Sequence, residues 1–116
     1  MIRIQIWRRA TGSIDRFRLE GHSGYAPLGQ DIVCAAVSAL AQTAVLGLMS
    51  VVQMDVEVEV DAEIGLLDCR IPRADRGSDA TLDQQAAILE TMVLGLREIE
   101  AQYPQYVTIK EMTTDR

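Results

Sequence analysis

The sequence has few of the residues that build disulfide scaffolds and metal centres. Its 116 residues include two cysteines, Cys34 and Cys69, and one histidine, His22. Two cysteines in a reducing compartment do not make a structural disulfide framework. Two thiols and one imidazole are also too few ligands for a closed zinc site within one chain. The sequence therefore predicts a protein without a metal or an organic cofactor.

Basic residues are in the minority. The chain has 11 Lys and Arg residues against 17 Asp and Glu residues, and its formal net charge is -6. A nucleic-acid-binding surface needs clustered Lys and Arg to contact phosphates, so we expect no direct nucleic-acid binding. An acidic surface is compatible with a basic protein or peptide as a partner.

The N-terminal residues lack the pattern of a secretory signal peptide, because no basic region, apolar stretch and cleavage site follow Met1. We therefore expect a cytoplasmic protein. One apolar run, residues 32 to 52, is long enough to cross a bilayer. It is rich in alanine and contains Ser38 and Gln42, so we interpret it as a core helix and expect no membrane partner.

Length and periodicity predict a single domain over residues 1 to 116, with an α+β fold. Two helices packed on a mixed sheet of about five strands form two layers, in which each element buries its apolar face. The pattern leaves the order of the strands in the sheet open. In chain order β-β-α-β-β-α-β, the predicted elements are residues 1 to 8, 14 to 20, 31 to 52, 55 to 61, 66 to 71, a helix that begins between residues 78 and 81 and ends before Pro104, and residues 106 to 110.

Capping residues predict where the two helices begin. Asp31 is a good N-cap for the first helix, and Thr81 with Gln84 resembles a capping box for the second. The second helix is expected to bury a stripe of apolar residues at helical spacing. That stripe consists of Leu82, Ala86, Leu89, Val93, Leu96 and Ile99.

Residues 55 to 61 alternate between acidic and apolar side chains. This alternation predicts a strand that buries its valines, Val56, Val58 and Val60. The acidic row on the other face is interpreted as a solvated strand face, with a docking site as the alternative. It consists of Asp55, Glu57, Glu59 and Asp61.

The chemistry of the chain is concentrated between Gly21 and Leu40. A helix that begins at Asp31 places Cys34 in its first turn, where the helix dipole lowers the pKa of a thiol from its ordinary value of about 8.5. His22 lies across a loop with Gly24 and Gly29, where it could deprotonate the thiol and later protonate a leaving amine. The N–H groups of residues 32 to 34 would stabilise an oxyanion. This arrangement suits acyl transfer.

Spacing alone leaves other interpretations open. A lone cysteine in an apolar helix is commonly a small buried hydrophobe, and Cys69, on the inward face of a strand, is interpreted in that way. Asp31 either caps the helix or orients His22. Ser38 either bonds near the thiol or bonds its own helix backbone, and Tyr25 either closes over a substrate or anchors the loop.

The same stretch resembles a known family. Residues 21 to 26 read Gly-His-Ser-Gly-Tyr-Ala, and residues 29 to 38 read Gly-Gln-Asp-Ile-Val-Cys-Ala-Ala-Val-Ser. Both segments are similar to the hallmark of the ribosomal-processing cysteine protease family, the Prp family. The match is long and ungapped, and it covers the residues on which the chemical argument depends.

The resemblance implies a specific activity. Members of the family use the matching histidine and cysteine, here His22 and Cys34, as a catalytic dyad. They remove a short N-terminal extension from large-subunit ribosomal protein L-twenty-seven through a covalent thioester, which supports ribosome maturation, and they form homodimers. Their glycine-rich loop is thought to order over the peptide, in agreement with Gly24 and Gly29. The remaining candidates for supporting roles are Gly21, Tyr25, Asp31 and Ser38.

Two rival functions stay open at the level of the sequence. One is a non-catalytic, ribosome-associated protein that binds a peptide or assists assembly through the same region. The other is a thiol hydrolase or transferase that acts on a small molecule. A peptide-length groove beside Cys34 would argue against the second rival, and a closed pocket would favour it.

Overall fold

A computed structural model of the chain describes residues 1 to 21, 28 to 72 and 79 to 114, with only the backbone described for residues 28 to 31 and 79. The predicted element order and the α+β fold are confirmed. In chain order the elements are β1 (Ile2–Arg8), β2 (Ile14–Glu20), α1 (Leu28–Leu46), a π-helical turn (Gly47–Val51), β3 (Glu57–Asp61), β4 (Leu66–Arg70), α2 (Asp79–Gln102) and β5 (Val107–Thr113).

The strands form one mixed sheet in the order β3-β4-β2-β1-β5. The predicted antiparallel hairpin of β1 and β2 is confirmed, with Ile4 opposite Leu19 and Ile6 opposite Phe17. Strand β5 runs parallel to β1, which is possible because α2 provides the long crossover that a parallel connection needs. Strands β3 and β5 are therefore the two edges of the described sheet.

One face of the sheet carries the hydrophobic core. Side chains that alternate along β1 and β2 pack with apolar residues of both helices in a single buried cluster. Phe17 and Ile6 are completely buried at its centre, as are Ala41 and Leu48 of the helical layer. Full burial of each large apolar side chain contributes roughly 1.5 to 3 kcal/mol to folding. The core therefore fixes α1 over the inner strands of the sheet.

The opposite face of the sheet carries ionic contacts across β2 and β4. Arg16 donates two hydrogen bonds to the carboxylate of Asp68, and Arg18 donates a third at 3.3 Å. Burial of Asp68 raises the pKa of its carboxyl, but the hydrogen bonds and charge of Arg16 outweigh burial and hold this pKa below its ordinary value. The Arg16 guanidinium also lies 4.4 Å from the centre of the Trp7 ring.

Helix α1 begins earlier than the sequence predicts. Its first residue is Leu28, so Asp31 lies within the first turn and is not the N-cap. Proline restricts the backbone of the residue before it and not that of the residue after it, so a helix can begin directly after Pro27 in the sequence. The helical path continues through the π-helical turn to Val51, close to the predicted end at residue 52.

Helix α2 begins within the predicted range of residues 78 to 81, but without the predicted capping box. It begins at Asp79, so Thr81 and Gln84 lie inside the helix and do not form the predicted capping box. The first residues of the predicted stripe, Leu82 and Ala86, are exposed. Helical spacing identifies a common face but not whether another element covers it. The buried residues of this helix are Gln85, Leu89, Met92, Val93 and Leu96.

Strand β3 is exposed along its whole length. The predicted burial of Val58 and Val60 is wrong, because these side chains remain 39% and 65% exposed, and Val56 lies just before the strand and is half-buried. Val58 pairs with Cys69, a core residue, so the valines lie on the core-bearing face of the sheet. They stay exposed because β3 is the edge strand, beyond the part of the sheet that the helices cover.

The described segment Ile32–Val51 is long and apolar enough to cross a membrane. The core helix of a soluble protein can be equally long and apolar, so length and composition alone are weak evidence for a membrane-spanning helix. In the folded chain 33% of the segment is buried. Its buried side includes Val33, Val37 and Leu48, which pack in the core against the sheet.

Candidate active site

Cys34 lies in the wall of an open groove of about 610 Å³ between α1 and the core-bearing face of strands β2, β3 and β4. Most of the side chains around the groove are apolar. The side of α1 contributes Cys34, Ala35, Val37, Ser38, Gln42, Val45 and Leu46, and the sheet and its loops contribute Ile2, Leu19, Gly21, Val58, Val60, Asp61, Ala62, Gly65, Leu66 and Leu67.

The side chain of Cys34 is half-buried. Because α1 begins at Leu28, Cys34 lies in the second turn of the helix and not in the first. The N–H groups of residues 32 to 34 therefore donate to carbonyl groups one turn earlier in the helix, and the predicted use of these groups as oxyanion donors is wrong. The dipole of a helix acts mainly within its first turn, so its predicted effect on the thiol is weakened.

Ser38 and Gln42 follow Cys34 at intervals of one helical turn along the same groove. The Oγ atom of Ser38 accepts a hydrogen bond from Nε2 of Gln42 at 2.7 Å. This contact differs from both alternatives that the sequence offered for Ser38, which stay predictions. The polar strip Cys34, Ser38 and Gln42 contrasts with the apolar wall formed by the strands, and it gives the groove one polar side.

Gly21 directly follows β2 and lines the groove. Its N–H donates to the carbonyl oxygen of Ile64 at 3.2 Å, and its φ of +112° lies in the region that favours glycine. A Cβ atom at this position would meet the carbonyl oxygen of Met1. Gly21 therefore directs the backbone at the position that directly precedes His22.

The structure brings three of the predicted site residues into one groove: Gly21, Cys34 and Ser38. His22, Gly24 and Tyr25 lie outside the described residues, and for Gly29 and Asp31 the backbone alone is described, within α1. The pairing of His22 with Cys34 and the roles of the loop residues remain predictions.

Cys69 is a core residue, as predicted. Its side chain is completely buried. Burial, together with the neighbouring charge of Asp68, raises the pKa of the Cys69 thiol to about 12. Since the thiolate is the reactive form of cysteine, Cys69 is chemically inert beside the accessible Cys34.

Sequence reasoning missed part of the groove. The sequence could have placed Gln42 on the same side of the helix as Cys34, because it follows Cys34 by two helical turns. Val58 and Val60 were identified as strand residues but assigned to the core, and their contribution to the groove depends on the position of β3 at the edge of the sheet. No short-range signal in the sequence indicates that position.

A protein-family model described as cysteine protease Prp matches residues 1–108 of the chain. The chain belongs to this family. The predicted membership in the Prp family and the predicted class of enzyme, a cysteine protease, are therefore confirmed. The match extends from β1 into β5, so the groove around Cys34 lies within the region that defines the family.

Bacterial relatives of the Prp family match nearly the whole chain. The ribosomal processing cysteine protease Prp of Staphylococcus aureus strain Mu50 is 26% identical over 109 residues, which are 94% of this chain and 97% of that protein. The protein of the same name from Bacillus subtilis strain 168 is 30% identical over 104 residues, which are 89% of this chain and 90% of that protein.

Solved structures share the fold. The crystal structure of SMU.848 from Streptococcus mutans has a TM-score of 0.86 and 30% identity, covering 98% of this chain and 96% of that chain. The S. aureus ribosomal processing protease Prp, crystallised with a substrate peptide, has a TM-score of 0.82 and 24% identity, covering 96% of this chain and 99% of that chain. These structures confirm the predicted α+β architecture.

Proposed function

We propose that this chain is a ribosomal-protein-processing endopeptidase that removes the N-terminal extension of large-subunit ribosomal protein L-twenty-seven. The observation that supports this proposal is the position of Cys34 in the wall of an open groove, in a chain of the Prp family. An open groove accepts a segment of an extended polypeptide. A closed pocket would instead have suited a small-molecule substrate.

In this proposal Cys34 is the nucleophile and His22 the general acid-base. Sγ of Cys34 gives its proton to His22 and attacks the carbonyl carbon of the scissile peptide bond. The bond to the leaving nitrogen then breaks, His22 returns the proton to that nitrogen, and a thioester to Cys34 remains. Water, activated by His22, hydrolyses the thioester and releases the N-terminal fragment as a free acid.

The neighbouring residues have supporting roles in this account. Gly24 lets the loop order over the bound peptide, and Tyr25 either closes over the peptide or anchors the loop. Gly29, which the sequence assigned to this loop, lies within α1. Asp31 either orients His22 or stabilises the first turn of α1. Ser38, held by Gln42, offers its hydroxyl to a polar group of the substrate in the groove.

The proposed substrate is a segment of a basic protein. The relatives are named ribosomal processing proteases, and the S. aureus protease has been crystallised with a substrate peptide. The net charge of -6 on this chain favours a basic partner. The proposal includes a homodimer that works in the cytoplasm, as the resemblance and the start of the sequence led us to expect.

Cleavage of the ribosomal protein tests the proposal. The substrate is the organism's own ribosomal protein L-twenty-seven, and intact-mass measurement detects removal of its N-terminal segment. We expect cleavage by the wild-type protein and by Cys69→Ala, and none by Cys34→Ala. A wild-type protein that leaves the ribosomal protein intact refutes the proposed substrate. Full biological function of Cys34→Ala in cells would support the rival, a non-catalytic binding protein.

A further inference from the structure

Strand β3 has an outer edge that is unpaired in the described sheet, and it also borders the groove that contains Cys34. It is the terminal strand of the described sheet, so its outward backbone groups have no strand partner there. Its Val58 and Val60 also line the groove that contains Cys34. An unpaired strand edge is a template for an extended segment of another chain, which adds as a further strand.

The side chains of β3 differ between its two faces. Val58 and Val60 lie on the groove side, because they pair with Cys69 and Leu67 on the core-bearing face. Glu57, Glu59 and Asp61 lie on the opposite face. Among the described residues, neither Glu57 nor Glu59 forms an ion pair within 4.0 Å. Glu57 lies opposite Arg70 in the strand register, and the charge of Glu59 helps to raise the pKa of Arg16. Both carboxylates are nevertheless exposed, so they can also interact with positive charges on an added strand.

A second copy of the chain fits this edge poorly. In any antiparallel pairing of two β3 strands that keeps Val58 and Val60 on one face, the carboxylates of the two copies lie opposite one another on the other face. Like charges directly opposite each other destabilise a strand pair. The charge of the edge thus favours a basic segment over a second copy.

We propose that the edge of β3 binds the substrate by strand addition, with apolar substrate residues beside Val58 and Val60 and basic residues beside Glu57 and Glu59. This inference rests on the proposed function and extends it, since it names the element that selects the substrate chain. Main-chain hydrogen bonds hold the substrate segment in extended form. Because β3 is apolar on one face and acidic on the other, it selects a segment in which apolar and basic residues alternate. The bound strand continues the wall of the groove beside Cys34.

Peptide binding to the full-length Cys34→Ala variant tests the edge of β3 without cleavage of the peptide. The probes are fluorescein-labelled peptides long enough to span β3, one of alternating lysine and valine and one of alternating glutamate and valine. Fluorescence anisotropy should detect binding of the basic probe only. The double variant Glu57→Lys/Glu59→Lys should weaken it about tenfold. The control, Asp83→Lys/Glu98→Lys on exposed positions of α2, changes the net charge equally and should retain affinity.

A second measurement changes the peptide and leaves β3 intact. In strand addition only every second N–H of the added segment points to the neighbouring strand. N-methylation of the basic probe at successive single positions should therefore weaken binding at alternate positions only. Equal loss at all positions, equal effects of the two double variants, or equal binding of the acidic probe would each overturn the proposal. So would a change of oligomeric state in Glu57→Lys/Glu59→Lys alone, which would assign the edge to a second copy.

Cleavage separates this inference from the function on which it rests. If the wild-type protein leaves the ribosomal protein intact while the probes bind in the alternating pattern, the proposed substrate fails and the strand-addition surface stands. If cleavage occurs but has the same kcat/KM in both double variants, the function stands and the inference fails.

Discussion

Gly21 packs directly against the carbonyl oxygen of Met1, leaving no space for a Cβ atom. Met1 is held there because the next residue, Ile2, donates its N–H to the carbonyl of Tyr106 at 2.8 Å. The backbone of Gly21 has a φ of +112°. Two independent constraints, steric contact and backbone conformation, thus require glycine at the residue that precedes His22.

The first prediction compares Gly21→Ala with Gly12→Ala. Gly12 has a similar φ of +93°, but nothing lies within 4 Å of a Cβ placed there. Gly12→Ala carries backbone strain alone and should cost about 1 kcal/mol of unfolding free energy, whereas Gly21→Ala should cost about 2 to 3 kcal/mol. Gly21→Ala should also lower kcat/KM more, because it redirects the chain at His22. Urea unfolding and peptide cleavage measure both quantities, and equal effects of the two variants would contradict the account.

The second prediction concerns the contact between Arg16 and Asp68. Asp68→Asn should cost about 2 kcal/mol of unfolding free energy at pH 7, as expected for hydrogen bonds to a charged group. Since the pKa of Asp68 is lower in the folded protein than its ordinary value of 3.8, its stabilisation is fully present above that value. It is lost as the pH falls below 3.8 and through the folded pKa.

Urea unfolding of both proteins at several pH values checks this prediction. The difference in unfolding free energy between wild type and Asp68→Asn should shrink as the pH falls below the ordinary pKa of 3.8. The kcat per folded molecule should not change, because Asp68 lies on the face of the sheet opposite the groove. A difference that stays constant into acid would show that the carboxylate of Asp68 does not supply the stabilisation.

The third prediction tests whether substrate occupies the groove. Ala35 is an exposed residue of α1 that lines the groove, and Ala36, its exposed neighbour, does not. Ala35→Phe should raise KM about tenfold by filling the groove, equivalent to about 1.4 kcal/mol. Ala36→Phe should leave KM unchanged. Steady-state kinetics on the ribosomal peptide measure both, and equal KM values for the two variants would exclude this groove as the binding site.

The fourth prediction uses the different environments of the two thiols. Native Cys69 should resist iodoacetamide between about pH 6 and pH 9, because alkylation needs the thiolate and the pKa of Cys69 is raised to about 12. Cys34 should be labelled over the same range, and more slowly near neutral pH in His22→Ala. Peptide mass spectrometry reads both cysteines in one sample. Faster labelling of Cys69 than of Cys34 would contradict the assignment of the two residues.

Alternating sequence patterns predicted the central part of the fold well. Ile2, Ile4 and Ile6 alternate with polar residues along β1, and all three are buried. The chain turns between β1 and β2 with Gly12 at a positive φ. Because these signals are local, the sequence alone was sufficient to predict the hairpin.

Features that depend on distant parts of the chain could not be predicted in this way. Val58 has the same local pattern as a buried strand residue, yet it is exposed because β3 lies at the edge of the sheet. The predicted position of Cys34 in its helix was wrong by one turn. Asp31 is a residue type that often caps helices, but the residue type alone does not show where the helix begins. The family motif was sufficient to identify Cys34. Predicting the groove beside Cys34 would have required the order of the strands in the sheet.

The central claim is that Cys34 forms a covalent thioester with the substrate, and trapping this intermediate tests it most directly. The wild-type protein is mixed with the N-terminal peptide of ribosomal protein L-twenty-seven, quenched in acid and analysed by intact-mass and peptide mass spectrometry. We predict a mass increase equal to the released N-terminal fragment less one water, located on Cys34 and absent from Cys34→Ala. Cleavage of the same bond by Cys34→Ala at the wild-type rate would contradict the account.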